Sequence, residues 1–211
     1  GPLSFGKSRH AGVNDVNNGW YSGGKNSSGT TISSTDKIVF ATDTATATAK
    51  GVLSSARAEL AGVNDVSNGW FGAGSSPAFS TVDKLVFATD TATAVAKGAL
   101  TTARYRLAAV NDLTNGWFAG GEVSPASSKV DKIIFSNDTA AAVAKGNISV
   151  ARSDVSGVSD SSNGWIAGGN TGSVTSLIDK IVFATDTALA VAKGPLSGTR
   201  YRTSSVQNSN N

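Results

Sequence analysis

The sequence contains no cysteine, no methionine, one histidine and only four prolines among its 211 residues. Without cysteine there is neither a disulfide framework nor a thiolate metal site, so packing and backbone pairing must stabilise the fold. No apolar run approaches the roughly 18 residues that a membrane-spanning helix requires, which argues against membrane insertion. The net charge of +3 is small and dispersed, unlike the basic stripe of a nucleic-acid-binding protein.

The chain repeats the motif Asn-Gly-Trp four times. Its tryptophans stand 50, 47 and 48 residues apart, at Trp20, Trp70, Trp117 and Trp165. This spacing is typical of β-propeller blades and not of helical solenoids. We divide the chain, as one repeat domain, into units 1–50, 51–97, 98–145 and 146–193, followed by a partial unit 194–211. Because an enzyme needs its catalytic groups once and in one place, a motif in every unit predicts a structural role.

Each unit predicts four short antiparallel strands. In the second unit, segment 60–65 and the run that begins at Trp70 flank a turn-forming sequence, as in a β-hairpin. The β-branched and aromatic run 83–90 predicts a buried third strand, and the alternating segment 91–97 predicts a fourth. The glycines that follow asparagine are expected in hairpin turns with positive φ: Gly19, Gly69, Gly116 and Gly164.

A single sheet of this kind cannot cover its own apolar faces, so neighbouring sheets must stack on it. We therefore expect the tryptophans between sheets, with Phe87 and Phe135 buried near Trp70 and Trp117. Double glycines that end the second strand are expected to turn the backbone with positive φ. Their second members are Gly24, Gly74, Gly121 and Gly169, and Ala73 replaces the first glycine in the second unit.

These features together resemble the kelch family of β-propellers over nearly the whole chain. Kelch units carry an arginine before the first strand, an aromatic residue ahead of a double glycine, and an aromatic-rich third strand. The arginine stands at Arg57, Arg104, Arg152 and Arg200, with Lys7 in its place in the first unit. The fourth-strand tryptophan of kelch units is replaced by Ala47, Ala94, Ala142 and Ala190.

The resemblance implies an all-β, kelch-like propeller with four repeats of a four-stranded antiparallel blade and one extra first strand. Such near-identical tandem units are also similar to repeats in phage and bacterial surface proteins. The first strand is predicted at both ends, at Lys7 to Asp15 and again at Arg200 to Val206. One copy is surplus in a closed four-bladed monomer. Either that copy lies outside the ring or its strand is donated to another molecule, and we favour the second arrangement, a homo-oligomer formed by strand exchange.

No pattern singles out a catalytic, cofactor or metal site, so we expect no enzyme activity and no cofactor. His10 has no second histidine or cysteine with which to share a metal. One aspartate set lies in the first hairpin turn, and a second set follows the third strand. The first set lacks the closing glutamate of a calcium loop, so we expect both sets to cap turns. The two sets are Asp15, Asp65, Asp112 and Asp160, and Asp43, Asp90, Asp138 and Asp186.

The loop between the second and third strands varies most between units. In an up-and-down sheet it shares one face with the linkers between units, and the aspartate sets are expected on the opposite face. The candidate ligand-binding face is therefore basic: Lys50, Arg57, Lys97, Arg104, Lys145, Arg152, Lys193 and Arg200. Equal Ser/Thr-rich sites beside it favour multivalent binding of a glycan or anionic surface polymer, outside the cell or on a virion. The alternative is a purely structural module of a larger extracellular or virion assembly, whose loops vary because nothing constrains them.

Overall fold

The computed structural model describes residues 1–203 as an all-β chain. It contains four successive four-stranded antiparallel sheets, one for each sequence unit, and in every sheet the strands follow one another in chain order. The predicted up-and-down arrangement of four strands is confirmed. A small additional sheet pairs Lys7–Ser8 with Lys25–Asn26. None of the helical turns in this part of the chain is long and apolar enough to cross a bilayer.

The four strands of each sheet have similar bounds in every unit. The first strands are Ala11–Asn14, Ala61–Asn64, Ala108–Asn111 and Ser156–Ser159. The second strands are Asn18–Ser22, Asn68–Gly72, Asn115–Ala119 and Asn163–Ala167. The third strands are Thr35–Val39, Val82–Val86, Val130–Ile134 and Ile178–Val182. The fourth strands are Thr48–Lys50, Val95–Ala96, Val143–Lys145 and Val191–Lys193.

The third and fourth strands are shorter than the sequence predicts. In the second unit the third strand ends at Val86, and Phe87–Thr89 forms a 3₁₀ turn instead of continuing to residue 90. This turn carries the Phe87 ring onto Trp20 of the preceding sheet, with ring centroids 4.0 Å apart. The same turn follows the other third strands, at Phe40–Thr42, Phe135–Asn137 and Phe183–Thr185. The turn also forms in the first unit, where Phe40 is 43% exposed, so the strand ends at this position with or without a packing partner in another unit.

The apolar core lies between consecutive sheets, whose first strands run beside one another. One buried cluster combines Val63 and Trp70 of the second unit with Phe118 and Phe135 of the third. Trp20, Trp70 and Trp117 are at most 1% exposed. Each indole stacks on a phenylalanine of the following unit at 4.0 to 4.1 Å, with ring planes within 8° of parallel. The repeated tryptophan therefore joins one sheet to the next.

The glycine of the Asn-Gly-Trp motif has a different role from the one predicted. Gly19, Gly69, Gly116 and Gly164 lie within the second strands and none has a positive φ, so the expectation of a hairpin-turn conformation is wrong. A Cβ added to Gly116 would lie 2.6 Å from Cγ2 of Val63 in the preceding sheet. Glycine is needed because the valine of one sheet packs against the backbone of the next.

The double glycines do end the second strand with positive φ, as expected. Gly120 and Gly121 have φ values of 68° and 106°, and in the second unit Ala73 adopts 64° before Gly74 at 126°. A Cβ on Gly121 would lie 2.9 Å from the carbonyl oxygen of Tyr105. The turn therefore lets the linker between units lie close against the end of the second strand.

Candidate functional site

Three of the four arginines of the predicted basic face are inside the protein. Arg57, Arg104 and Arg152 are each 0% exposed. Each forms an ion pair of 2.6 to 3.0 Å with an aspartate of the third strand in its own unit, at Asp83, Asp131 and Asp179. Burial lowers the pKa of Arg57, and the neighbouring Asp83 opposes that shift. These three arginines therefore cannot reach a ligand, although the sequence placed them on the binding face.

The buried aspartates fasten each linker to the sheet that it precedes. Asp131 accepts hydrogen bonds from the backbone amide and hydroxyl of Thr101 at 3.2 and 2.7 Å. Arg104 also donates to the carbonyl oxygen of Phe118 at 2.9 Å. In the first unit, Lys7 replaces the arginine and pairs with Asp36 at 3.0 Å. Sequence reasoning missed these aspartates, although an Asp-Lys pair at the start of every apolar third strand was a signal.

Arg200, at the equivalent position in the partial unit, is exposed. Within the described residues its guanidinium makes only local hydrogen bonds of 3.5 Å, to Ser197 and Gly198. The backbone of the partial unit nevertheless follows the other linkers, because Gly169 donates to the carbonyl oxygen of Arg200 at 2.9 Å. Residues 204–206 of the predicted terminal strand lie outside the described residues.

Three of the four lysines of the predicted basic face lie beside aspartates of the second set and not opposite to them. Lys50 pairs with Asp90 at 3.1 Å, Lys97 with Asp138 at 3.3 Å, and Lys145 with Asp186 at 3.0 Å. Each pair joins one unit to the next. The predicted separation of lysines and aspartates onto opposite faces is therefore wrong, because the turn after the third strand folds over the preceding sheet and does not project from its end. Lys193 is exposed and makes no salt bridge within residues 1–203.

Asp90, Asp138 and Asp186 each receive three side-chain donors from the preceding sheet. Asp90 Oδ2 lies 3.0 Å from the indole nitrogen of Trp20 and 3.2 Å from Nζ of Lys37, and Lys50 reaches Oδ1. Burial by itself raises the pKa of the Asp90 carboxyl, but hydrogen bonds from Trp20, Lys50 and Lys37 outweigh it, so the pKa is below its ordinary value. The pKa of Asp138 is lowered in the same way, against the effect of burial, by Lys84, Lys97 and Trp70.

We predict that stability falls on acidification through this aspartate set. A folded pKa below the unfolded value means that the stabilisation is complete above the unfolded pKa of about 3.9 and is lost as pH falls through the folded pKa. Asp138→Asn removes one such carboxylate, so its urea midpoint should change less than the wild-type midpoint between about pH 6 and about pH 3. Asp43→Asn, at an exposed equivalent position, is the control and should keep the wild-type dependence. Equal pH dependence in Asp138→Asn and wild type would contradict the assignment.

The first aspartate set caps the hairpin turns, as expected. Asp65 Oδ1 accepts hydrogen bonds of 2.7 Å from the backbone amides of Ser67 and Asn68. Asp15, Asp112 and Asp160 repeat the arrangement in the other units. Their carboxylate oxygens are therefore occupied by the turn itself. Within residues 1–203, no three His, Cys, Asp or Glu side chains are grouped so that they could hold a metal ion.

A concave groove of about 490 Å³ runs along the first strands of all four sheets. Small residues such as Gly12, Gly62 and Gly157 line it together with polar side chains such as Asn14 and Asn64. At one end lies His10, which packs edge-on against Tyr21 at 5.5 Å. Burial, and then the charge of Lys7, lower the pKa of His10, with Asp36 acting in the opposite direction. The histidine is therefore held toward its neutral form.

Alternating charges link the units along the rim of this groove. A charged residue stands two positions before each first strand and at the equivalent position of the partial unit. The sign of its charge alternates along the chain: Arg9, Glu59, Arg106, Asp154 and Arg202. Arg9 and Arg106 both reach Oε1 of Glu59, at 2.9 and 3.1 Å, and Arg202 reaches Asp154 at 2.9 Å. From Glu59 onward, the backbone amide of each member of the row donates to the carbonyl oxygen of the preceding member, which belongs to the previous unit, at 2.8 to 3.0 Å. These contacts hold neighbouring units together. In the sequence, their only sign is the alternation of charge at this position.

The variable loops between the second and third strands project from the end that also carries the linkers, as predicted. Leu53 of a linker donates to the carbonyl oxygen of Ser33 in such a loop at 2.8 Å. The exposed tips of these loops are residues 27–30, 76–78, 123–125 and 171–174. They differ in sequence from unit to unit while the frame below them repeats. No family model matches the chain, and no curated protein matches it.

Proposed function

We propose that this chain is a kelch-like propeller module without enzymatic activity that binds glycans or related surface polymers through its variable loop tips. The observation that carries the proposal is the contrast between the tips and the frame. The tips are exposed and differ between units, whereas Trp70, Arg104 and Asp138 in the frame below them are committed to internal contacts. Repeated weak sites on one end of a rigid frame gain affinity for a polymer by avidity.

The kelch-like assignment is supported by the order of strands, the adjacent first strands and the position of the double glycines. The burial of the arginine–aspartate pairs limits which kind of ligand the surface can bind. With Arg57, Arg104 and Arg152 inside and three of the four linker lysines already paired, the exposed surface has few free cations. We therefore favour recognition of sugar hydroxyls by serine, threonine and backbone groups at the tips over binding of a strongly anionic polymer.

A purely structural module in an extracellular or virion assembly is the second candidate. It is favoured by the repetition of one interface between units, in which a stacked ring pair and a three-donor carboxylate recur with little change. In such a module the loops would contact nothing in particular. Binding to a polymer therefore separates the two candidates.

A glycan array tests the binding function. In the test variant one exposed residue of every tip is replaced by the bulkier glutamate, at Ser28, Ala78, Val123 and Ser173, which obstructs all four tips and leaves the buried frame intact. We expect its signal on bound glycans to fall about tenfold or more, because all of the equivalent sites weaken together. The control variant carries Val16→Ser, Val66→Ser and Leu113→Ser, exposed positions in the first hairpin turns at the other end.

Circular dichroism and tryptophan fluorescence should show both variants folded, and the control should bind as wild type. Equal binding by the loop variant would place the site elsewhere on the frame. A wild-type protein that binds no glycan on the array would favour the structural module.

A further inference from the structure

The two end sheets expose the matching halves of an interface that occurs three times inside the chain. Within the chain, Val13, Val63 and Val110 pack against the next sheet and are at most 5% exposed, whereas Val158, their counterpart in the last sheet, is 44% exposed. Trp165 is also partly exposed, while the other three tryptophans are buried. The last sheet therefore presents a valine and an indole that have no following sheet within residues 1–203.

The first sheet presents the other half. Phe40 is 43% exposed, although Phe87, Phe135 and Phe183 are 6 to 8% exposed against the tryptophan of the preceding unit. Among residues 1–203, no valine from another unit lies beside Gly19, whereas a Cβ on Gly69, Gly116 or Gly164 would lie within 2.6 Å of one. The apolar surface of the first sheet therefore has the shape that accepts a valine and an indole.

The charged side chains of the first and last units are also complementary to one another. Asp90, Asp138 and Asp186 each receive an indole N–H and two lysines from the preceding unit. Asp43, their counterpart in the first unit, is exposed and forms no salt bridge within the described part of the chain. Lys180 and Lys193 of the last unit are likewise in no salt bridge there, and Lys180 lies 5.6 Å from the Trp165 ring centroid. Asp43 thus lacks the three donors that the last sheet carries.

We propose that the last sheet of one copy docks on the first sheet of a second copy and reproduces the internal interface. Trp165 then stacks on Phe40 of the second copy, Val158 packs on its Gly19, and its Asp43 binds Trp165, Lys180 and Lys193. The contact is heterologous, so successive copies form either a closed ring or an open filament. The proposal goes beyond ligand binding and does not depend on it.

The two terminal segments decide how the contact is completed. Residues 194–203 already occupy the linker position on the last sheet, since Leu196 donates to Ser176 and Gly169 donates to Arg200 as Leu53 and Gly24 do in the first linker. Residues 1–10 occupy the other half of the equivalent position on the first sheet, where Pro2 accepts from Ala47 and Lys7 pairs with Asp36. An internal linker makes both sets of contacts with one segment, so docking leaves room for only one of the two.

The segment that stays is the C-terminal one. It brings Arg200, which is exposed and has no carboxylate partner within residues 1–203, to Asp36 of the second copy. That contact restores the arginine–aspartate pair found in the other three units, and it replaces Lys7, which presents a point charge and not a planar fork. Residues 1–10 of the second copy are displaced.

Sedimentation equilibrium of the wild-type chain and of Asp43→Lys tests the docking. Wild type should associate with rising concentration, and Asp43→Lys should weaken the association at least about tenfold, because it opposes Lys180 and Lys193 with a like charge. Asp43 is exposed, so the variant should fold. The control, Ala78→Lys with Val123→Lys, adds the same two charges in loops away from both ends and should associate as wild type. Wild type that stays monomeric at about 0.1 mM, or Asp43→Lys that associates equally, would overturn the proposal.

Two further measurements identify the contact and the exchanged segment. Carbodiimide, which couples a carboxylate to a lysine in contact with it, should link Asp43 to Lys180 or Lys193. In a mixture of isotope-labelled and unlabelled copies, the linked peptides should include pairs of mixed label. Removal of residues 1–9 should strengthen association about tenfold or more, because no segment then has to be displaced. Association by another surface would give no such peptides, and weaker association after truncation would overturn the exchange.

Discussion

Replacement of Trp117 by alanine is expected to lower the free energy of unfolding by about 3 to 5 kcal/mol. The indole is 0% exposed, stacks on Phe183 at 4.0 Å, and donates a 2.9 Å hydrogen bond to Asp186. Its removal leaves a cavity between the third and fourth sheets and takes a donor from a carboxylate that Lys132 and Lys145 also bind. Urea unfolding followed by circular dichroism measures the loss.

Trp165→Ala is the matched control, because the chain offers the same residue in the same motif without the following sheet. Trp165 is partly exposed and has no stacked phenylalanine within residues 1–203. In dilute solution, where copies are separate, its replacement should cost clearly less than that of Trp117. Equal losses for the two variants, or an unchanged melting temperature for Trp117→Ala, would mean that the tryptophans do not join the sheets.

The repeat period made the sheets predictable from sequence. Short alternating segments, turn residues and one tryptophan per unit sufficed to place four strands in order, because these signals are local and recur in every unit. Strand ends were less predictable. Phe87 belongs to a β-forming run, yet it lies in a 3₁₀ turn and packs on Trp20, 67 residues earlier. A pattern within one unit cannot show a partner in another.

The charged residues show the same limit more sharply. Arg104 and Lys97 both looked like members of an exposed basic face, but one is buried against Asp131 and the other reaches Asp138 of the next unit. Their burial depends on which carboxylate the fold brings near them, and residue type alone favours exposure for both. Likewise, a glycine after asparagine is typical of a turn, whereas Gly116 is a glycine because Val63 occupies the space of its side chain. The candidate loop tips were easier to find, since variation among equivalent units is visible in the sequence itself.

Arg104→Ala is expected to destabilise the protein by about 3 to 5 kcal/mol, the usual cost of leaving a buried charge unpaired. Both side chains of the Arg104–Asp131 pair are 0% exposed, and their 2.6 Å contact is supported by the Phe118 carbonyl oxygen at 2.9 Å. Without the guanidinium, the Asp131 side chain keeps only the hydrogen bonds from Thr101 within residues 1–203, and the Phe118 carbonyl loses a donor. Urea unfolding near neutral pH, where the carboxylate is charged, measures the loss.

Arg200→Ala provides the control at the equivalent position of the partial unit. Arg200 is exposed, and within residues 1–203 its guanidinium bonds only to residues within three positions of it, so in dilute solution its removal should change stability by less than about 1 kcal/mol. Adding Asp131→Asn to Arg104→Ala should recover part of the loss, because it removes the unpaired charge while keeping a polar group for Thr101. If Arg104→Ala were as mild as Arg200→Ala, the linker arginine would not be fastening each linker to its sheet, and the basic residues would again be available for a ligand.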